Sequence, residues 1–523
     1  MRALFAALAV LSVAAAPALG NGVLNRGNGS EMASLDPHFI STIEETNVEG
    51  DLLVGLLTLD AGAHAIPGAA THWETSRDGR TWTFHLRDHL WSDGQPVTAR
   101  DFVFAWQRLL DPRTGASNAY SLWVIRNAHA ISMGSLPPSS LDVEAPDDRT
   151  LVVTLEHPAA YLPELLTQVS ADPVPRHIVL AKDAAWSKPE NFVGNGPFVP
   201  TEWILNDHLT LTRNPRFYDA AHVQLSGEMI YPTADSGAAL RRLRAGALDT
   251  QTPIPLTEMA WLRTNKPGVV HIAPALGLSY VSINLRRPPL NDVRVRRALN
   301  LALDREILVE KVLKLGERGA YSIVPPGMPS YPSGPQMPIR KLTAAERLAK
   351  AQWLMNQAGY GPARHLSLVY ETFEEPNNRR IAAVLQAMMR PIWVDVDVRA
   401  MDASAHASNL KQGDYDLGAA SWFADFDDAS NFLDLLRPSS GNNYGGYHNP
   451  RFAMLLDAAQ EQLDAGRRAD LLRQAEATAL GDYPWIPTRF RVSQNLVEPY
   501  VKGWVDNPRD IHLARWLWLA QHQ

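Results

Sequence analysis

An acidic residue among aromatic ones is the clearest sign of chemistry in this chain. Asp425 lies between Phe423 and Phe426, and Trp422 stands three residues before it. Aromatic neighbours exclude water from a carboxylate when a cleft closes, and a desolvated carboxylate needs a cation or strong hydrogen-bond donors. The residues alone leave two interpretations open: a salt bridge to one of the protein's own arginines, or a site for a cationic ligand.

The patterns typical of metal binding and catalysis are missing from the sequence. Asp427 and Asp428 continue the acidic run, but it lacks the central glycine and final glutamate of an EF-hand loop. His85 and His89 stand in a strand and turn, where their spacing separates them by about 13 Å, too far to share a metal. No serine-nucleophile elbow, zinc-protease motif or phosphate-binding loop occurs. We therefore expect that the protein is not an enzyme and that it binds no metal or other cofactor.

The elements that must position such a site are predicted by local patterns. Apolar residues alternate over 82–86, which predicts a half-buried strand, and Thr98 with Asp101 marks the start of a helix. A capping box predicts a helix over 344–358, and apolar residues at helical spacing predict another over 292–315. Strand and helix patterns alternate without an internal repeat, so we expect an α/β protein of two or three domains.

Composition indicates an exported protein. Residues 1–20 read as a signal peptide, because Arg2 precedes an apolar stretch that ends in small residues. The chain has no cysteine, which excludes disulfides, thiol chemistry and a lipid-modified cysteine anchor. No later stretch is apolar and long enough to span a membrane. The net charge of −7 is interspersed along the chain, which disfavours nucleic-acid binding.

Six motifs share a likeness to one protein family. They are NGSE at 28–31, SLDPH at 34–38, the block 82–112, NGPF at 195–198, NDVRVRRAL at 291–299 and WFADF at 422–426. Together and in this order they resemble the periplasmic solute-binding proteins of ABC importers, in the oligopeptide and dipeptide-binding branch. The likeness extends from about residue 23 to the end. With the missing cysteine, it implies a soluble periplasmic monomer that is not a lipoprotein.

The resemblance also implies a fold. It is a two-lobed α/β fold of the type II periplasmic binding proteins, with three domains and a hinged ligand cleft. Domain I would combine three separated pieces of chain, about 23–53, 172–276 and 493–523. Domain II would be about 54–171 and domain III about 277–492. The two crossings between domains I and III would then form the hinge.

For the ligand site, the resemblance assigns roles to particular residues. It implies that Asp425 receives the α-ammonium group of a peptide. It also implies that the peptide main chain pairs with extended segments on both sides of the cleft, which gives affinity independent of side chains. The matching segments are Ser41-Thr42-Ile43 and Ala420-Ser421-Trp422-Phe423, and Tyr280 stands at a position near the ligand main chain.

The residues expected to bind the carboxyl end of the peptide differ from those of the family. Well-studied members carry arginines at the positions of Ala419 and, roughly, Leu410, where they reach the peptide carboxylate. Lys411 is adjacent to the second position. Arg489 or Arg491 could replace the missing charges, although both read equally well as surface residues.

The resulting hypothesis is a receptor that captures oligopeptides as two lobes close and delivers them to a membrane-embedded ABC permease. Receptors for dipeptides or murein peptides are the alternatives within the fold. The missing arginines favour murein peptides, whose stems carry unusual carboxylates, and non-peptide cargo such as nickel complexes is a further alternative. A secreted hydrolase is the remote alternative, because the sequence contains no nucleophile or metal constellation.

Overall fold

A computed structural model of the chain describes residues 22–521 apart from Ser41 and Ser117. The predicted signal peptide lies outside the described residues. Within the described ranges, no helix combines the length and the apolar character needed to cross a membrane.

The strands of the described residues form one large sheet and three small ones. In chain order they are β1 (Val23–Asn28), β2 (Leu57–Leu59), β3 (Ala65–Pro67), β4 (Ala70–Thr75), β5 (Thr81–Leu86), β6 (Val143–Glu144), β7 (Thr150–Thr154), β8 (Phe198–Ile204), β9 (His208–Arg213), β10 (Gly227–Tyr231), β11 (Thr250–Thr252), β12 (Val270–Ile283), β13 (Arg318–Gly319), β14 (Leu366–Phe373), β15 (Val394–Met401), β16 (Leu417–Phe423), β17 (Trp485–Val497), β18 (Val501–Lys502) and β19 (Trp518–Leu519).

The helices are placed around these sheets, and short 3-10 turns connect many of the elements. In chain order the α-helices are α1 (Ile43–Leu52), α2 (Ala99–Leu110), α3 (Ala128–Ser132), α4 (Leu162–Leu165), α5 (Arg176–Lys182), α6 (Ser236–Arg244), α7 (Met259–Asn265), α8 (Val293–Ala302), α9 (Ala344–Gln357), α10 (Pro376–Met389), α11 (Ala403–Gln412), α12 (Ser430–Leu433), α13 (Pro450–Gln460) and α14 (Ala465–Asp482).

Two long antiparallel strands, β12 and β17, run through the middle of the large sheet. The strand order is β15-β14-β16-β12-β17-β11-β1-β10-β9-β8, and β13 also pairs with β17. The register between β12 and β17 shifts between Pro274 and Leu278. On one side of this irregularity β17 pairs with β11, and on the other side β12 pairs with β16. The same two strands therefore belong to both halves of the sheet.

The apolar core divides in the same way. One large core takes residues from both ends of the described chain, including Leu24, Trp106 and Leu517. The second large core comes from the contiguous stretch 276–486. This division agrees with a two-lobed molecule. The domain boundaries themselves stay a prediction, and those near 276 and 492 fall inside the two long strands.

Local sequence patterns match the structure where a cap defines the element. The strand over 82–86 is β5, and Thr98 with Asp101 forms the capping box of α2. The helix predicted over 344–358 is α9. The single helix over 292–315 is wrong, because α8 ends at Ala302 and a π-helix follows over Ile307–Leu313. A new helical segment begins there because Asp304 Oδ1 accepts a hydrogen bond from the Ile307 amide.

Candidate functional site

A cavity of about 950 Å³ lies between the two large cores. This volume is at the upper end for small-ligand pockets. Its walls come from both halves of the sheet and from loops of the first core. The main lining segments are 42–47, 168–170, 252–254, 275–281, 419–425, 488–495 and 508–511.

Asp425 lines this cavity two residues after the end of β16. Its carboxylate has long hydrogen bonds: Tyr120 Oη lies 3.4 Å from both oxygens, and Asn431 Nδ2 donates to Oδ2 at 3.3 Å. Its backbone carbonyl accepts from Gln168 Nε2 at 3.1 Å and from Arg509 Nη2 at 3.3 Å. Among the described residues, no lysine, arginine or histidine nitrogen lies within 4.0 Å of the carboxylate.

The surroundings of Asp425 make its negative charge costly. Burial raises the pKa of Asp425 above its ordinary value, and the hydrogen bonds from Asn431 and Tyr120 and the charge of Arg509 oppose this without cancelling it. The interpretation as a salt-bridge partner of one of the protein's own arginines is therefore wrong within the described structure. The other interpretation, a desolvated carboxylate that can receive a cation, remains.

The neighbouring aspartates differ from Asp425. Asp428 is buried and ion-paired, with Arg468 Nη1 and Nη2 donating to its two oxygens at 2.7 and 2.8 Å. Burial raises the pKa of Asp427 to about 6. In the described part of the chain, no group of three or more histidine, cysteine or acidic side chains is placed to hold a metal ion.

The segment Ala420-Ser421-Trp422-Phe423 forms the end of β16 beside Asp425. One edge of β16 pairs with β12 along its whole length, but on the other edge β14 pairs with only Leu417 and Gly418. Beyond Gly418, no described strand covers this second edge, and residues 419–423 line the cavity. His406 Nε2 lies 2.8 Å from the Ala419 carbonyl oxygen, so the open part is 420–423. Such an edge offers backbone donors and acceptors to an extended ligand.

Trp422 and Tyr280 support the site rather than fill it. Trp422 Nε1 donates to Asn431 Oδ1 at 2.7 Å, and the same oxygen accepts from the Asp425 amide at 3.2 Å. Trp422 therefore fixes the amide side chain that holds Asp425. Tyr280 is almost fully buried, and its ring stacks on Trp485 with centroids 3.9 Å apart.

On the opposite wall, the described part of the predicted segment, Thr42 and Ile43, forms the start of a helix. Ser41 lies outside the described residues. Thr42 is the N-cap of α1, and its amide donates to Glu45 Oε2 at 3.1 Å in a capping box. Ile43 begins the helix, and its carbonyl accepts from Asn47 Nδ2 at 3.2 Å. The Thr42 amide and carbonyl are used by the cap and the helix and are not free to pair with a ligand, although Thr42 and Ile43 both line the cavity. Pairing along the segment 41–43 stays a prediction.

The three basic residues considered for a ligand carboxylate separate into two groups. Lys411 is exposed near the end of α11 and does not reach the described cavity lining. Arg489 and Arg491 both line the cavity and both approach Glu317, with Nε to carboxylate oxygen distances of 2.9 and 3.5 Å. The interpretation of these two arginines as surface residues is wrong.

Sequence reasoning missed Tyr120, Gln168, Asn431 and Arg509, which surround Asp425. Three of them contact Asp425 from 305, 257 and 84 positions away along the chain. No local pattern marks such residues. Only Asn431, six residues after Asp425, lies close enough in sequence for a local signal.

Comparisons with known proteins agree with this geometry. The model for bacterial extracellular solute-binding proteins, family 5 Middle, matches residues 64–444. A probable deoxycholate-binding periplasmic protein of Escherichia coli is 35% identical over 506 residues, covering 96% of this chain and 94% of that protein. The periplasmic oligopeptide-binding protein of Salmonella typhimurium is 35% identical over 509 residues, covering 95% and 93%.

A solved structure extends the likeness to three dimensions. The murein tripeptide binding protein of Escherichia coli has a TM-score of 0.85 and 32% identity, over 97% of this chain and 100% of that one. This near-complete superposition confirms the predicted two-lobed α/β binding-protein fold. Since the family model and the relatives match most of its length, the chain belongs to family 5 of the bacterial extracellular solute-binding proteins.

Proposed function

We propose that this protein is a periplasmic receptor that captures oligopeptides in its cavity and delivers them to a membrane-embedded ABC permease. The open edge of β16 beside Asp425 carries the proposal. That edge supplies backbone groups for pairing, and Asp425 supplies a negative charge at one end of the pairing segment. An extended peptide presents the complementary pair, a main chain and an α-ammonium group.

Closure of the two lobes completes the site. The α-ammonium group loses water on entering and meets the Asp425 carboxylate, while residues 420–423 pair with the peptide main chain. Gln168 and Arg509 donate to the Asp425 carbonyl from the opposite lobe, and Tyr161 stacks on Phe426 with centroids 5.0 Å apart. These contacts hold Asp425 and Phe426, which follow β16, in position when the lobes meet.

The receptor acts without catalysis and as a soluble monomer. Export by the signal peptide of residues 1–20 and the missing cysteine support a periplasmic protein without a lipid anchor. A murein-peptide receptor is the second candidate. The superposition on the murein tripeptide binding protein and the alanine at 419, in place of an arginine, favour it.

The test is to delete the ammonium contact from each side. Asp425→Asn keeps the shape and removes the charge, so we expect peptide binding to weaken by about 2–5 kcal/mol, measured by calorimetry. Acetylating the peptide N-terminus should weaken wild-type binding similarly. The two changes together should be clearly less than additive, because they delete the same pair.

Asp427→Asn is the matched control. Asp427 is two residues from Asp425, and its side chain lies outside the described cavity lining. Removing its charge should leave peptide affinity near the wild-type value. Normal peptide binding by folded Asp425→Asn, together with tolerance of acetylation, would show that the ammonium group binds elsewhere.

A further inference from the structure

Two arginines on β17 face the cavity side by side. Arg489 and Arg491 are two residues apart on one strand, so their side chains share a face. Their side chains are 9% and 31% exposed, and both line the cavity. Two partly buried positive charges repel each other, and this repulsion must be offset by a nearby negative charge.

The single carboxylate that accompanies them does not satisfy their donors. Glu317 approaches both Nε atoms but is 2% exposed and lies behind the described lining. Neither Nε–H group is aligned for a hydrogen bond. The Arg489 side chain makes no hydrogen bond to a described residue, and the Arg491 side chain makes one long hydrogen bond, 3.5 Å to Ser279 Oγ.

Other buried arginines of the described chain are bonded differently. Arg305 donates four hydrogen bonds, three to carbonyls and one to the Asn300 side chain. Arg468 makes a bidentate pair with Asp428. Buried polar groups are normally satisfied in this way. The free donors of Arg489 and Arg491 therefore remain available to an acceptor in the cavity.

The local charge also favours an anion. Two guanidinium groups face one close carboxylate. The next carboxylate, Glu375, caps α10 by accepting from the Asn378 amide at 3.2 Å and is not ion-paired with either arginine. Burial and repulsion from Arg489 lower the pKa of Arg491, as expected for a cation whose charge is incompletely balanced.

We propose that Arg489 and Arg491 form the anion site of this receptor and bind a carboxylate of the ligand. This inference rests on the proposed function for its ligand class. A planar guanidinium group can bind a carboxylate with two parallel hydrogen bonds. Glu317, beside the Nε atoms, keeps the two side chains in place on the side away from the cavity.

The spacing of the two charged sites suits one short ligand. The Arg491 guanidinium carbon lies 5.5 Å from the centre of the Phe423 ring, and Phe423 precedes Asp425 by two residues. Strand rise and spacing place Asp425 and Arg491 on the order of 10 Å apart. An extended tripeptide spans about that length. The same carboxylate chemistry could come from a peptide C-terminus or from a carboxylated steroid, such as the deoxycholate in the name of one relative.

The experiment compares free-acid and amidated peptides in matched variants. In an alanine series of two to five residues, amidating the tightest binder should weaken wild-type binding at least about 30-fold by calorimetry, the lower end for a truncated buried charge pair. In Arg491→Gln, amidation should change affinity only a few-fold. Arg491→Lys, which keeps the charge but not the fork, should fall between. Arg379→Gln removes an exposed arginine outside the described lining and should keep the wild-type ratio.

The outcomes separate this inference from the proposed function. If amidation costs wild type and Arg491→Gln equally while Asp425→Asn still abolishes the effect of acetylation, the anion site is wrong and the peptide receptor stands. If peptides fail but sodium deoxycholate binds and loses at least about 30-fold in Arg491→Gln, the anion site stands and the peptide function falls. If neither probe binds folded wild-type protein, both proposals fall.

Discussion

Asp425 and Asp428 are three residues apart, yet only the carboxylate of Asp428 is neutralised by an ion pair within the protein. Asp428 is buried against Arg468, which donates to both of its oxygens at 2.7 and 2.8 Å, and Ser430 Oγ adds a contact at 2.6 Å. Asp425 has bonds of 3.3 and 3.4 Å and no cation within 4.0 Å among the described residues.

The difference separates a charge that is satisfied within the fold from one that is left open to a ligand. A bidentate pair with short bonds is complete and can accept nothing more. A desolvated carboxylate with long bonds weakens the folded state, and such a group is a candidate for function. The same distinction separates Arg468 from Arg489 and Arg491, so incomplete charge satisfaction is the property that the two proposed ligand sites share.

The largest expected effect comes from breaking the complete pair. Asp428→Asn leaves the Arg468 guanidinium buried without its counterion, and we expect the free energy of unfolding to fall by about 3–5 kcal/mol. Denaturant unfolding measures this. Asp457→Asn removes an exposed partner of Arg437, which keeps its ion pair with Asp434, and it should change stability by about 1 kcal/mol or less. Equal losses in the two variants would remove the contrast between a buried and an exposed pair.

A second effect concerns pH and has opposite signs for folding and binding. Because burial raises the pKa of Asp425, the folded protein holds this proton more tightly than the unfolded chain. The contribution of Asp425 to stability is therefore full below its unfolded pKa and is lost as the pH rises through the folded pKa. Peptide affinity should rise over the same window, since the ammonium group needs the ionised carboxylate.

The difference between wild type and Asp425→Asn isolates this group from Asp427, whose pKa of about 6 contributes to both proteins. In unfolding and calorimetric titrations between about pH 4 and 7, the value for wild type minus that for the variant should fall with pH for stability and rise with pH for binding. Parallel curves for the two proteins would mean that Asp425 does not titrate in this range.

The smallest expected effect is that of Tyr120→Phe. The hydroxyl lies 3.4 Å from both Asp425 oxygens, which is a weak contact, so its loss should change peptide affinity by about 1 kcal/mol or less. Calorimetry on the variant measures this. A loss above about 2 kcal/mol would show that Tyr120 contacts the ligand directly rather than through Asp425.

The sequence predicts elements whose causes are local. The strand over 82–86 and the capped helices α2 and α9 follow from alternation and from caps within a few residues. The break after Ala302 was missed, because apolar spacing continues through it while a side-chain cap at Asp304 begins a new turn.

The site was predictable where one segment contains it. Asp425 and its strand edge are adjacent in sequence, whereas its partner Tyr120 comes from 305 positions away. The state of Arg489 depends on Glu317, 172 positions earlier, and on bonds that are not made. Composition cannot show whether a charge is satisfied, because satisfaction is a property of packing.

The division of the core also bears on the order in which the molecule can fold. The second core comes from a contiguous stretch, but the first needs Leu24 at one end and Leu517 at the other. Arg26 donates to the His512 carbonyl across 486 positions at 2.9 Å. Contacts of such separation slow folding, because a long loop must close before they form. The first lobe therefore cannot complete its core until the segment around Leu517 has been synthesised, and this lobe stays incompletely folded until then.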